Sequence, residues 1–307
     1  MKPQQAIRRQ VLRGLALNRT PGLHFAGNFL DVSFDHVARD GARLSVDPGP
    51  WCTEIDGQAD LGSLAILADL ALAACIRAHL PSATRLGTVT MNLQFTGAPR
   101  TGRLKAEGVF QGFYRQGPRH YGMSSVSVMG RSGQVCYGAG TFMALDPPRG
   151  VKLHPVPLRT RHSPEPPPLA PRDLHPTERQ ILRRADAAIA AEGPFIGHFW
   201  GPQPHRTDAG AACALENGPH IGNRVGHAQG GILLALAAGT AAAALTPHWR
   251  LSGIAVGYIR PGEGRRLRAR SRIVHHGRLM AVVRTEIFGR NRRRVLEVTS
   301  THAALSA

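Results

Sequence analysis

The sequence predicts an α+β protein made of two copies of one unit, each a long buried helix wrapped by an antiparallel sheet, the copies paired as in a dimer. Three observations predict it. First, Gly57-Gln58-Ala59-Asp60-Leu61-Gly62 and Gly226-His227-Ala228-Gln229-Gly230-Gly231 share one glycine spacing, and each opens an Ala/Leu-rich stretch. A helix that is apolar all round must be buried. Second, strand-like segments with turn residues between them follow each stretch in the same order. Third, the match continues past the helices: Arg103-Leu104-Lys105-Ala106 parallels Arg266-Leu267-Arg268-Ala269, and Val135 and Thr141 match Val295 and Thr301 at one offset of 160. A long helix needs a sheet to hide its apolar surface, and two such halves can continue their sheets across a pseudo-twofold interface.

The elements follow in order. Ile7, Val11, Leu12, Leu15 and Leu17 give residues 4–18 an amphipathic helical pattern. Phe29–Phe34 and Ala42–Val46 read as strands joined by an Asp40-Gly41 turn. The first long helix is expected over about Leu61–Leu80, where Pro81 stops it. Strands are expected at Thr88–Phe95, Leu104–Tyr114, Tyr121–Met129 and Val135–Leu145, separated by Gly-rich turns. Prolines from Pro147 to Pro176 then resist helix and sheet and suit a connector. The pattern restarts with a helix at Thr177–Glu192 and strands at Ile196–Trp200 and Ala211–Leu215. The second long helix should end at Leu245, before Pro247. Strands follow at Gly253–Ile259, Leu267–His275, Met280–Phe288 and Val295–Ala304. The expected organisation is an N-terminal helix at 1–19, a first unit at 20–145, a Pro-rich linker at 146–177 and a second unit at 178–307. Each half is expected to wrap its helix in its own sheet.

Composition bounds the function. The four cysteines, Cys52, Cys75, Cys136 and Cys213, show no metal-like pairing and no disulfide framework, so we expect reduced thiols and a cytoplasmic protein with no metal site. The N-terminal residues carry no apolar signal region. The apolar run from Leu64 to Ile76 is too short to span a bilayer. The net charge of +18 attracts polyanions in general. The arginines are spread along the chain with an excess over Arg260–Arg294, which reads as a solvated basic surface or as attraction for an anionic substrate. No recognition motif or aromatic platform points to specific nucleic-acid binding.

The most informative residue is Asp69, a carboxylate inside an apolar helix, because burial of a carboxylate is costly unless it is paired or used. At the matching place the second helix has Ala238.

With these residues in view, the chain resembles a tandem hotdog-fold protein of the PaaI-like acyl-CoA thioesterase group. The resemblance covers nearly the whole chain. The family motif is a loop Asn, a Gly, then His-Gly-Gly opening the helix, with an acid nine residues after the His. The second half offers Asn223, Gly226 and Gln229-Gly230-Gly231, with Ala238 at the acid position. The first offers Glu54, Gly57 and Asp60-Leu61-Gly62, with Asp69 at the acid position. Thr88 matches the family's Ser or Thr on the strand after the helix. The sequence departs from the family at Gln229, which stands where the His belongs; His227 and His220 are the neighbouring imidazoles.

The resemblance implies a composite site: Asn223 and Gly230 from one half acting with Asp69 and Thr88 from the other, and Gly231, Gln229 and His227 contacting substrate. The reciprocal site would need Glu54, Leu61 and Ala238 and lacks both acid and amide. It also implies an acyl-CoA substrate, no cofactor beyond the coenzyme A of that substrate, and a homodimer of pseudo-dimers. The chemistry agrees. A Gly-Gly helix start presents unpaired N–H groups at the positive end of the helix dipole, a candidate oxyanion hole. A desolvated Asp69 would have a raised pKa and suit a general base or nucleophile. Asn223 would position water or the carbonyl, and Thr88 would orient Asp69.

Each residue also has a structural reading. Asp69 could be a carboxylate bonded to a Ser or Thr, Asn223 a turn former, Gly230 and Gly231 packing glycines, Thr88 an ordinary strand residue and His227 a loop residue. A non-catalytic acyl-CoA binder fits a chain with one degraded site. A hotdog hydratase or dehydratase would need a paired Asp and His, whose spacing is absent.

Overall fold

The computed structural model describes every residue except Met1, Ala83, Gly117, Pro118, Pro148, Val151, Ser306 and Ala307, and the side chains of residues 115–119 are also outside the description. Part of the Gly-rich turn expected between Tyr114 and Tyr121 and part of the proline-rich stretch therefore lie outside the described residues.

The first half runs α1 (Pro3–Asn18), α2 (Phe25–Phe29), β1 (Ser33–Ala38), β2 (Gly41–Val46), α3 (Leu61–Arg77), β3 (Arg85–Phe95), β4 (Leu104–Gln116), β5 (Arg119–Gly130) and β6 (Gly133–Leu145). The second repeats the order with α4 (Pro176–Ala190), α5 (Phe195–Trp200), β7 (His205–Thr207), β8 (Gly210–Glu216), α6 (Gly230–Ala244), β9 (Trp249–Tyr258), β10 (Arg266–His276), β11 (Met280–Phe288) and β12 (Arg294–Ala304).

Two expected strands differ. The one expected over Phe29–Phe34 starts only at Ser33, because Phe29 closes the helical turn Phe25–Phe29, and the one expected over Ile196–Trp200 is the helical turn Phe195–Trp200. Their aromatic rings explain the choice: Phe25, Phe29, Phe195, Phe199 and Trp200 stack on one another with centroids 5.0–6.3 Å apart. A single helical turn brings such side chains together on one side, whereas a strand alternates them. The helix α1 likewise has a counterpart, α4, and the two pack together.

Each half contributes its own six strands, and the two sets continue across the pseudo-twofold interface, as the repeat allows. The strands form one continuous twelve-stranded sheet, β1-β2-β4-β5-β6-β3-β9-β12-β11-β10-β8-β7. The order reads the same from either end once each strand is exchanged for its repeat. The seam is β3 against β9, antiparallel from Thr90–Gly257 to Gln94–Gly253. Pairing these two strands satisfies backbone groups that separate sheets would leave as open edges.

Helices α3 and α6 lie under the sheet and pack against each other. Their closeness depends on Gly231, where an added Cβ would stand 2.6 Å from the Ile66 nitrogen. Asp60 caps α3 by accepting the Gly62 and Ser63 N–H bonds, and Gln229 caps α6 by accepting from Ile232. Of the connector, residues 152–170 hold no helix or strand. It runs along the first half, where Phe34 N–H donates to Arg159 O, and Leu153 reaches the space between the halves. All four cysteines are free and buried. Among the described residues no helix is long and apolar enough to cross a membrane.

Candidate active site

Asp69 sits two turns into α3, buried at 8 % exposure, where α3 passes the first turn of α6. One carboxylate oxygen accepts from Thr88 Oγ1 at 3.1 Å, and the other accepts from Gln229 Nε2 at 2.8 Å. The two halves of the chain thus meet at this carboxylate. Burial raises its pKa to about 7, against the smaller opposing effect of the Thr88 bond.

Gln229 does two jobs with one amide. Its oxygen accepts the Ile232 N–H at 3.1 Å while its NH2 faces Asp69. A histidine here would offer one ring nitrogen to each partner, and the glutamine reproduces that with an oxygen and a nitrogen.

Gly230 is the first residue of α6, and its N–H finds no acceptor among the described residues. An added Cβ would lie 3.5 Å from Asp69 Oδ1. The carboxylate and the unpaired amide are therefore neighbours, and the helix dipole favours negative charge at that point.

Asn223 lines the same cavity but does not bond Asp69. Its Oδ1 accepts the Val225 and His227 N–H bonds at 3.0 and 3.1 Å, which folds the loop before α6. His227 also lines the cavity and meets Glu263 at 3.2 Å; burial and the charge of Arg85 lower its pKa against the pull of Glu263. Gly231 does not line the cavity. The backbone of α3 at Ala65 and Ile66 occupies the space beside it, so it serves helix packing rather than substrate contact. His220 is buried against Phe199, away from Asp69, and is not the missing imidazole.

The cavity encloses about 340 Å³. Its walls include residues that sequence reasoning missed. Tyr258 donates to Gly230 O at 2.9 Å, and burial together with the charge of Asp69 keeps its phenol protonated. The repeat does carry a signal for it, because the matching residue is Phe95, without a hydroxyl. His24, which caps α2, and the guanidiniums of Arg77, Arg85, Arg224 and Arg260 also border the cavity. A second, more polar cavity of about 530 Å³ shares His24, Leu153, Asn223 and Arg224 with it. Among the described residues no cluster of His, Cys, Asp and Glu could hold a metal ion.

The reciprocal position is filled. Asp60 occupies the place of Gln229, with its Oδ1 accepting from Trp200 Nε1 at 3.2 Å as well as capping α3. Leu61, Ala238 and Phe95 replace Gly230, Asp69 and Tyr258.

No protein-family model matches the chain, and no curated protein matches it. Solved structures do. A conserved protein of unknown function with the hot dog fold, from Alicyclobacillus acidocaldarius, matches with a TM-score of 0.56 at 13% identity, covering 90% of this chain and 96% of its own. A candidate thioesterase from Novosphingobium aromaticivorans matches at 0.53 and 12% identity, covering 89% and 100%. A candidate oleoyl thioesterase from Lactobacillus plantarum matches at 0.52 and 13% identity, covering 86% and 96%. Similarity at these identities speaks to architecture: the chain is two hotdog units in tandem, paired as a pseudo-dimer.

Proposed function

We propose that the protein is an acyl-CoA thioesterase with one composite active site per chain. The observation that carries this reading is the buried Asp69, with a pKa of about 7, beside the unpaired Gly230 N–H in a cavity between the halves. The thioesterase names of the Novosphingobium and Lactobacillus proteins point to the same reaction class.

Asp69 acts as general base. Its ionised carboxylate takes a proton from a water that attacks the thioester carbonyl. The oxygen of the tetrahedral intermediate receives the Gly230 N–H at the positive end of α6, where a single such donor is worth about 10²–10³ in rate. Collapse breaks the C–S bond, and the proton held by Asp69 passes to the departing sulfur, leaving a free acid and a thiol. Thr88 and Gln229 hold the carboxylate in one orientation from two sides. Tyr258 holds Gly230 from its carbonyl side, on the peptide that follows the Gly230 N–H, and so anchors the residue that carries the donor. Asn223 shapes the loop that carries His227 and borders the bound thioester. Arg85 and the exposed Arg260, at the end of the seam, suit the phosphates of the carrier.

The same proposal places the protein in the cytoplasm, in keeping with four free thiols, and pairs two chains through the outer sheet face where Val109, Tyr114 and Tyr137 are exposed. A second reading, an acyl-CoA binder without turnover, is favoured by one observation: Gln229 already occupies one oxygen of Asp69. Thiol release from a panel of acyl-CoA thioesters separates the two. Turnover that disappears in Asp69→Asn supports hydrolysis. Tight binding without thiol release would establish the binder.

A further inference from the structure

The cavity beside Asp69 carries positive charge that thioester hydrolysis does not use. Asp69, Ala73 and Arg77 are spaced along one face of α3, so Arg77 begins about 12 Å further along the helix axis than Asp69. The wall between is apolar, with Leu70 and Ala73 on α3 and Leu86 and Phe142 on the sheet. At the far end Arg77 is joined by Arg224, from the loop before α6, and by His24.

Neither guanidinium is neutralised. Arg77 gives one N–H to Thr84 O and Arg224 one to His154 O, and among the described residues no carboxylate stabilises either guanidinium. Burial and the charge of Arg224 push Arg77 down to about 10, and burial lowers Arg224 as well. His24 accepts the Gly27 N–H at its Nδ1, which leaves the ring proton on Nε2 as a donor. Burial, reinforced by Arg224, holds its pKa at about 4, so the ring is neutral and donates at physiological pH. Two half-buried guanidiniums that repel each other, beside a neutral donor and without an acid, form a site short of one anion. Arg260 is exposed at the other border of the cavity and is screened by water, so the demand is local to the inner end.

We infer that Arg77, Arg224 and His24 form a subsite for a carboxylate on the acyl group itself, making the preferred substrate the monothioester of a dicarboxylic acid; this rests on the thioesterase reading of Asp69. The Arg77 fork is tied to Thr84 O beyond the end of α3. Allowing about 3 Å for a hydrogen bond at each end, the span of about 12 Å leaves roughly 6–9 Å, which suits a diacid of roughly six to eight carbons. A planar guanidinium binds a carboxylate through paired hydrogen bonds, a geometry that an uncharged methyl end does not offer.

The test compares adipoyl-CoA with hexanoyl-CoA, matched in length, by thiol release, and separately measures calorimetric binding of free adipate and free coenzyme A. The wild type should prefer adipoyl-CoA by about tenfold or more in kcat/KM. Arg77→Gln should collapse that ratio toward one and abolish adipate binding, with Arg77→Lys restoring part of both. Arg224→Gln gives the same reading if the first variant does not fold. Equal or better turnover of hexanoyl-CoA by the wild type would overturn the inference. So would an Arg77→Gln protein that loses coenzyme A affinity and both turnovers alike, because the arginines would then read the carrier. If no thioester is hydrolysed but adipate binds and Arg77→Gln abolishes that binding, the subsite stands and the thioesterase reading alone fails. Absence of adipate binding to the wild type overturns the subsite.

Discussion

Asp69 is held in a position that weakens the fold at the pH where it would be useful. Its pKa in the folded protein is about 7 and its ordinary value is 3.8, so the folded state binds the proton more tightly than the unfolded chain does. The stability linked to this group is fully present below about pH 4 and is lost as pH rises toward and through 7. A three-unit shift corresponds to about 4 kcal/mol as an upper figure. The ionised form, by contrast, is the base. Activity as kcat/KM should therefore rise with pH through an apparent pKa near 7, while this contribution to stability falls. Asp69→Asn should lower turnover by about two to four orders of magnitude and raise the melting temperature at pH 8 relative to wild type. Parallel pH–rate profiles and thermal melts check both. A variant that is inactive and no more stable at pH 8 would mean that Asp69 is not under strain from burial.

The adjacent glycines at the start of α6 separate a site role from a packing role. An added methyl at Gly230 would meet Tyr258 at 3.4 Å and Asp69 at 3.5 Å, ordinary contact distances, and would crowd a ligand approaching the amide. At Gly231 it would meet α3 backbone at 2.6–2.9 Å, and backbone cannot move aside as a side-chain tip can. Gly230→Ala should keep the wild-type melting temperature and lose turnover, whereas Gly231→Ala should destabilise by about 1–3 kcal/mol. Melting and thiol-release assays on the pair distinguish them. The same contrast shows what was legible in the sequence. The glycine spacing and the all-round apolar composition mark α3 and α6, and the lone acid in α3 marks Asp69, because those signals are local. The turns α2 and α5 are not legible: a short aromatic run such as Phe195–Trp200 fits strand and helix patterns alike, and ring stacking between distant segments decides between them. The repeat makes a sheet continued across the two halves legible, but that β3 and β9 are the strands which meet is a choice between partners that neither strand records. Nor does the loop around Asn223 reveal that its side-chain oxygen turns inward onto its own backbone, leaving Gln229 to meet Asp69. His24 and Arg77 look like ordinary residues until the halves are assembled around them.

At the scale of the whole molecule, the net charge of +18 and the asymmetry of the two halves each make a prediction. Coenzyme A affinity should fall as salt rises, because solvated arginines such as Arg260 attract phosphates through a field that ions screen within about 10 Å at 0.1 M. Titrations across a salt series check this, and a flat response would remove the basic surface from binding. The asymmetry predicts stoichiometry. A symmetric pair of hotdog units would offer two sites, but here only the Asp69 side retains acid, amide and cavity. On the other side the indole of Trp200 donates to Asp60, and the Phe29–Phe199–Trp200 stack fills the space nearby. The groove beside Glu54 reaches neither Asp60 nor Ala238. Restoring one residue should therefore not restore the site: Ala238→Asp would bury a carboxylate without the Thr88 and Gln229 partners that Asp69 has, and should destabilise the protein without adding turnover. A non-hydrolysable thioether analogue of the substrate should bind calorimetrically at one molecule per chain, and Asp69→Asn should leave that count at one or below. Two molecules bound per chain would mean that the aromatic stack opens to ligand, and the two halves would then be working as equivalent sites despite their different residues.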